Sequence, residues 1–175
     1  MRADARRNYD QLIEQAKLAF AESGVDASLD EIARRAGVAS GTLYRHFPTR
    51  LDLIEAVLAE QIAGLVDLGR DLLTAEDEFD ALATWLRATL VHGLTYRGLA
   101  AAVMNSALDS ELVSTWHAQL FEVGTQLVHR AADVIVADAV AEDVVRMIGA
   151  IAWAAQDNPA SGDRLLTLML NGLRG

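Results

Sequence analysis

The segment from Ser28 to Phe47 constrains the fold most, because it holds two short helical patterns separated by only a few residues. The first pattern opens with SLDE at residues 28–31, a capping box whose serine and glutamate can satisfy free backbone N–H groups. The second pattern covers Ser40 to Phe47 and is stopped by Pro48. Between the two, Gly37 can adopt a positive φ. The segment therefore predicts two helices joined by a tight turn.

Two helices joined by a short turn that contains glycine form the skeleton of a helix-turn-helix. The residues of the second helix that are able to face outward suit a DNA groove; they are Ser40, Gly41, Thr42, Tyr44, Arg45 and His46. Hydroxyl groups and a histidine can hold phosphates, and an arginine can donate two hydrogen bonds to a guanine edge. A glycine lets the backbone approach closely. This inventory predicts a DNA-binding surface.

The rest of the chain is also predicted to be helical, because apolar residues recur at helical spacing and proline occurs at only two positions. A first helix is expected from about Asn8 to Glu22, and a long connecting helix from near Arg50. We expect an all-α fold with two parts. A three-helix module at residues 1–48, with its helix-turn-helix at 28–47, precedes a larger helical body at residues 51–175.

The charge of the chain is distributed unevenly between these two parts. The formal net charge is −10, but residues 1–50 carry +1 and residues 51–175 carry −11. Because the local field at the contact face governs phosphate attraction, an acidic body does not forbid DNA binding. The acidic body does argue against non-specific DNA binding through charge alone.

Several classes of function are disfavoured by what the sequence lacks. There is no cysteine, which excludes thiolate metal sites and disulfides, and there is no glycine-rich phosphate loop. His129 and Asp133 share a helix face, but no third ligand is nearby, so we expect no metal and no cofactor. Residues 37–41 have the order G-x-x-S-G rather than the G-x-S-x-G of a nucleophile elbow, and we expect no enzymatic activity. No signal or membrane-spanning segment is recognisable, so a cytoplasmic protein is expected.

The run SLDEIARRAGVASGTLYRHF at residues 28–47 resembles the DNA-binding signature of the TetR family of repressors. The apolar face before it and the residues after it, from Arg50, are similar as well, so the resemblance covers about residues 8–65. It implies that Ser40, Gly41, Thr42 and Arg45 face bases or nearby backbone. It implies phosphate contacts for Ser28, Tyr44, His46 and Arg50, the last at a position where the family usually has lysine.

The body resembles the family only in helical character and length, so its sites are predicted from residue types. Large apolar groups mixed with a few polar ones are typical of a small-molecule cavity, and the candidates are Trp85, Thr89, His92, Met104, Trp116, His117 and Phe121. Two apolar stripes near the C-terminus predict a four-helix interface of a homodimer through Met147, Ile148, Ile151, Leu165, Leu166 and Met169. Plain core packing is the alternative for both sets.

These observations lead to one function and one alternative. The protein is expected to be a sequence-specific transcriptional regulator, a dimeric repressor released from a palindromic operator in double-stranded DNA by an unknown small hydrophobic effector. The alternative is a DNA-binding regulator without a small-molecule effector, constitutive or controlled by another protein. Neither the operator nor the effector can be identified from the residues.

Overall fold

A computed structural model describes residues 2–96, 98–99 and 110–175, and its α-helices confirm the expected all-α class. In chain order they are α1 (Arg2–Ser23), α2 (Leu29–Arg35), α3 (Ser40–His46), α4 (Arg50–Leu72), α5 (Glu78–Thr95), α6 (Ser110–Arg130), α7 (Ala141–Ala154) and α8 (Pro159–Leu173). A 3-10 turn at Gly24–Asp26 follows α1. The candidate pocket residue Met104 lies outside the described residues. None of the described helices is both long enough and apolar enough to cross a membrane.

The chain forms two compact units. The N-terminal unit consists of Met1–Glu60 with Tyr96–Asp109, and the C-terminal unit consists of Gln61–Thr95 with Ser110–Gly175. The division therefore falls within α4, whereas the sequence placed it at residues 48–51, before this helix. Leu53, Ile54 and Val57, in the first half of α4, are buried, which makes these turns part of the core of the N-terminal unit.

The N-terminal unit is held together by apolar side chains on one face of each helix. Leu12, Ile13 and Phe20 of α1 are almost completely buried, as are Ile32 of α2 and Leu43 of α3. Burying a side chain of this size stabilises the fold by about 1.5–3 kcal/mol relative to leaving it exposed. The helix α1 begins at Arg2 rather than near Asn8, and Arg6 pairs with Asp10 one turn later at 3.0 Å. The basic residues before Asn8 are therefore part of this helix.

The C-terminal unit is a bundle in which α5, α6, α7 and α8 bury a common core. Trp85 of α5 is completely buried, and its indole N–H donates to the backbone oxygen of Leu65 in α4 at 3.0 Å. The ring fits there because two glycines make room. A Cβ on Gly124 would lie 2.6 Å from Trp85 Cη2, and one on Gly69 would lie 2.9 Å from Trp85 Nε1. The space beside Gly69 and Gly124 is thus filled by the Trp85 ring.

Two helix boundaries in this unit follow from local backbone features. The helix α6 ends at Arg130, and the backbone beyond it bonds to the C-terminal residues. Val136 N–H donates to the oxygen of Leu173 at 2.9 Å, and Gly175 N–H donates to the oxygen of Val134 at 3.2 Å. The helix α8 begins at Pro159. Proline suits a first helical position, where its missing N–H is not needed.

Candidate nucleic-acid interface

The turn between α2 and α3 has the geometry that the sequence predicted. Gly37 has a φ of +70°, which a residue with a side chain rarely adopts. Its N–H donates to the oxygen of Arg34 at 3.1 Å, and the N–H of Val38 donates to the oxygen of Ala33 at 3.0 Å. These bonds close the end of α2 in the manner common for helices that stop at glycine.

The capping box at the start of α2 is half formed. Ser28 Oγ accepts a hydrogen bond from the backbone N–H of Glu31 at 3.3 Å, as expected. The Glu31 carboxylate, however, accepts from Arg34 at 2.7 Å and from Arg35 at 3.0 Å. These hydrogen bonds, that of Arg34 foremost, hold the pKa of Glu31 down at about 2. Arg35 also pairs with Glu22 of α1 at 3.1 Å, so both arginines have partners within the protein.

Helix α3 turns one face inward and offers the other to solvent. Leu43 is completely buried and Phe47, directly after the helix, is nearly so. On the other side Gly41, Tyr44 and Arg45 are exposed, Tyr44 to 47% of its surface. Ser40, Thr42 and His46 are half-buried at the edges of this face. The polar residues that the sequence singled out therefore lie on one accessible helix face, anchored from beneath by two apolar side chains.

Aromatic contacts fix the C-terminal end of that face. The His46 ring meets the edge of the Tyr9 ring with centroids 5.9 Å apart, and Tyr9 also packs on Phe47 at 5.2 Å. Aromatic pairs at such distances favour these edge-on and tilted arrangements. His46 is therefore held in position by α1.

The start of α4 contains a capping box that the sequence analysis missed. Thr49 Oγ1 accepts from the backbone N–H of Asp52 at 3.2 Å, and the Asp52 carboxylate accepts from the backbone N–H of Thr49 at 2.7 Å. The signal was present, because Thr49 and Asp52 have the spacing of the motif and follow Pro48. This reciprocal pair sets where α4 begins.

Arg50, the remaining candidate phosphate contact, has partners inside the N-terminal unit. Its Nη1 donates to the backbone oxygen of Val25 at 2.8 Å and to that of Ala27 at 2.5 Å. The side chain is half-buried, and both carbonyls belong to the loop that leads from α1 into α2. Sequence reasoning identified the residue type but had no signal for partners 23 and 25 positions earlier in the chain.

The candidate effector residues of the C-terminal unit occupy different environments. Trp85 is buried in the core, and the hydroxyl of Thr89 donates to the oxygen of Trp85 at 2.9 Å. His92 is half-buried, and burial lowers its pKa to about 4. Trp116 and Phe121 are half-buried and His117 is exposed, with the guanidinium of Arg146 lying 5.8 Å from the Phe121 ring centroid.

Two grooves lined by described residues of this unit lie elsewhere. One, of about 690 Å³, is lined by acidic residues of the α4–α5 loop together with Phe79, Asp133 and Arg174. None of the candidate effector residues lines it. A buried hydroxyl that the sequence did not single out belongs to Thr125, whose Oγ1 has no hydrogen-bond partner among the described residues. Among the residues that the structure describes, no three histidine or carboxylate side chains come together as metal ligands would.

The candidate dimer residues divide between the inside and the outside of the unit. Four of them pack into the unit's own core and have little surface left for a partner: Ile148, Ile151, Leu166 and Met169. Leu165 is partly buried against the same core, and Met147 is 45% exposed. Two large apolar residues outside the candidate set are more accessible, Trp153 of α7 at 72% and Leu168 of α8 at 69%.

Family models match both parts of the chain. Residues 12–57 match the model described as bacterial regulatory proteins of the tetR family. Residues 77–175 match the C-terminal domain of SbtR-like transcriptional regulators.

Solved structures and curated relatives agree with these matches. A TetR transcriptional regulator from Streptomyces coelicolor is 36% identical with a TM-score of 0.79, over 94% of this chain and 97% of that one. A TetR regulatory protein from Mycobacterium vanbaalenii is 34% identical with a TM-score of 0.76, over 99% of both chains. The HTH-type transcriptional regulator TtgW of Pseudomonas putida is 43% identical over 60 residues, which span 34% of this chain and 45% of that relative.

The exposed polar face of α3, its glycine turn and these likenesses define a DNA-binding transcriptional regulator of the helix-turn-helix class. The chain belongs to the TetR family.

Proposed function

We propose that this regulator is a dimeric repressor that binds a palindromic operator through α3 and is released from it by a small hydrophobic effector. The observation that carries the DNA-binding part is the face of α3. Tyr44 and Arg45 are exposed on it while Leu43, between them and the core, is completely buried. The helix is therefore rigidly anchored and still free to enter a major groove.

Each residue of that face is proposed to act according to its chemistry and position. Arg45 is the base reader, because an arginine can pair with both acceptors of a guanine edge. Tyr44, His46 and Ser28 are proposed to hold phosphates. Ser40, Thr42 and Gly41 lie at the start of α3, and a Cβ on Gly41 would meet nothing within 4 Å in the protein. The lack of a side chain there leaves room for the DNA rather than for another part of the chain.

A dimer is proposed because one recognition helix of this size binds weakly, and two copies on a palindrome reinforce each other. The proposed interface lies on the outer faces of α7 and α8, where Met147, Trp153 and Leu168 are exposed. Small residues beside them, Gly149, Ala150 and Ala154, are exposed as well and would let two helices approach closely. The proposed interface therefore lies on the side of α7 and α8 that is opposite to the buried candidate residues, such as Ile148 and Leu166.

A hydrophobic effector is proposed to bind within the C-terminal unit, near the half-buried residues Trp116 and Phe121. The unpartnered hydroxyl of Thr125, one turn further along α6 than Phe121, offers a polar group for such a ligand. Among proteins of the same fold, SmeT of Stenotrophomonas maltophilia is described as the repressor of a multidrug efflux pump and has been solved with triclosan. SmeT is 17% identical to this chain, so the likeness concerns the fold alone.

Coupling between effector and operator is proposed to run through α4, which is continuous from Arg50 to Leu72 and contributes to both units. In the C-terminal unit Trp85 bonds to Leu65, and Arg130 donates to the backbone oxygens of Leu72 and Ala75. A ligand that favours one placement of α4 would change operator affinity by its preference for that state. A coupling of about 1–3 kcal/mol, or roughly 5–150-fold, is ordinary for such systems.

The test is selection of bound fragments from the DNA of the source organism, followed by release of the selected operator with hydrophobic compounds. The proposal predicts a palindromic site whose half-sites are about one helical turn apart. It also predicts that some compounds both raise the melting temperature of the protein and release the DNA. Specific binding that no stabilising compound affects would favour the alternative, a regulator without a small-molecule effector. Failure to select any specific site would overturn the DNA-binding proposal itself.

A further inference from the structure

Among the candidate DNA contacts, Arg50 is the one whose surroundings differ most from what a phosphate contact requires. It is the first residue of α4, and its Nη1 directs both of its N–H bonds at backbone oxygens, those of Val25 and Ala27. Ala27 is 3% exposed, so the guanidinium reaches into the unit rather than away from it. Hydrogen bonds from a charged guanidinium to backbone carbonyls are charge-assisted, and such bonds are among the stronger ones in proteins.

The two carbonyls lie in the stretch that leads into α2. Val25 belongs to the 3-10 turn Gly24–Asp26, which begins at Gly24 with a φ of +60°, and Ala27 directly precedes the cap residue Ser28. Within this stretch the N–H of Ala27 donates to the oxygen of Gly24 at a rather long 3.3 Å. The link from Arg50 therefore ties the entry of α2 to the first turn of α4.

We propose that Arg50 is a positioning residue that clamps the α1–α2 loop to α4, and that it supports DNA binding by holding the helix-turn-helix in place rather than by contacting a phosphate. The clamp depends on the reach and planarity of the guanidinium, whose Nη1 carries two N–H groups fixed in one plane, one for each carbonyl. A lysine side chain is one bond shorter and ends in a compact, strongly hydrated point charge, so it keeps attraction to phosphate but does not reproduce this geometry. The two roles thus make opposite predictions for an Arg50→Lys variant.

The inference rests on the proposed DNA binding for its second readout only, and its first readout uses the free protein. Amide hydrogen exchange is measured on wild type, Arg50→Lys and Arg50→Met, with Arg35→Met as the matched control. Arg35 belongs to the same unit, but its partners are the side chains of Glu22 and Glu31 on the surface. A clamp predicts that the amides of Ala27 and Ile32 exchange about tenfold faster or more in both Arg50 variants but not in the control. Unchanged exchange in both Arg50 variants would overturn the proposal.

The second readout is operator affinity as a function of salt. Each phosphate contact contributes about 0.9 to the slope of log affinity against log salt concentration. The clamp predicts that Arg50→Lys and Arg50→Met both weaken binding while keeping the wild-type slope. A phosphate ligand predicts that Arg50→Lys binds like wild type and that Arg50→Met loses about one unit of slope. The latter pattern would overturn the clamp. Failure of the wild-type protein to bind any operator would refute the proposed function, but the hydrogen-exchange result would still decide the role of Arg50.

Discussion

Two glycines on the same helix provide a sharp test of how the C-terminal unit is filled. Gly64 and Gly69 both lie in the second half of α4. A Cβ on Gly69 would lie 2.6 Å from Val123 Cγ2 and 2.9 Å from Trp85 Nε1, whereas one on Gly64 would meet nothing within 4 Å. The same substitution by alanine is therefore expected to change the free energy of unfolding differently at the two positions.

The magnitudes follow from two opposing contributions. Alanine in a helix interior is favoured over glycine by about 1 kcal/mol, and Gly64→Ala should gain most of that amount. Forcing extra volume into a packed core costs about 1–3 kcal/mol. At Gly69 the neighbour cannot easily withdraw, because Trp85 is completely buried and its indole N–H is bonded to Leu65. We expect Gly69→Ala to be less stable than Gly64→Ala by about 1–3 kcal/mol.

The assay is urea and thermal unfolding of both variants and wild type at one protein concentration. For a chain of this length about 1 kcal/mol corresponds to a shift of about 2–4 °C in melting temperature. Gly64→Ala should melt above wild type and Gly69→Ala below Gly64→Ala. If both variants were stabilised equally, space would have to exist beside Trp85, and the description of this core as filled by its ring would be refuted.

Three further predictions concern the anchor of α3, the half-buried His92 and the proposed dimer face. Leu43→Ala should destabilise the N-terminal unit by about 2–5 kcal/mol, measured by urea unfolding, since the side chain is completely buried; a loss near zero would mean that α3 is not anchored there. His92, whose folded pKa of about 4 lies below its ordinary value of 6.5, should bind a proton more readily when unfolded. Its contribution to the free energy of unfolding should therefore fall as the pH drops from 6.5 towards 4. An NMR titration of the His92 ring, and unfolding against pH in wild type and His92→Gln, would check this. A ring that titrates near 6.5 would contradict it. Trp153→Glu should shift the sedimentation of the protein from dimer to monomer at micromolar concentration while Glu142→Gln, a change at another exposed position of α7, should not; a dimer retained by both would place the interface elsewhere.

The helix-turn-helix was predictable from the sequence because its signals are local. A capping serine, a turn glycine and a stopping proline bracket α2 and α3, and the bounds expected for α3 differ from the observed ones by one residue, Phe47. The identity of the buried face followed from helical spacing, as Leu43 shows. Such features depend on residues within a few positions of one another, which is the range over which sequence patterns are informative.

The dimer face, the partners of Arg50 and the environment of Trp85 could not be predicted in this way, because they depend on which surface of each helix packs against which neighbour. Helices α7 and α8 carry apolar residues on more than one side, so periodicity alone did not show that Ile148 faces inward while Met147 and Trp153 face outward. The partners of Arg50 lie 23 and 25 residues away and are backbone oxygens, which leave no trace in the residue types. Trp85 looked like a cavity wall because its type suits one, but two glycines on other helices let it fill the space itself.

Operator binding by the exposed face of α3 is the property on which the proposed function depends most directly. Affinity for a selected operator is measured by mobility shift for wild type, Arg45→Ala, Tyr44→Ala and the control Arg34→Ala, an exposed arginine of α2 held by Glu31. We expect a loss of about 1–3 kcal/mol in specific binding for Arg45→Ala, a clear loss for Tyr44→Ala and a much smaller change for Arg34→Ala. Wild-type affinity in both α3 variants, with their fold intact, would contradict it.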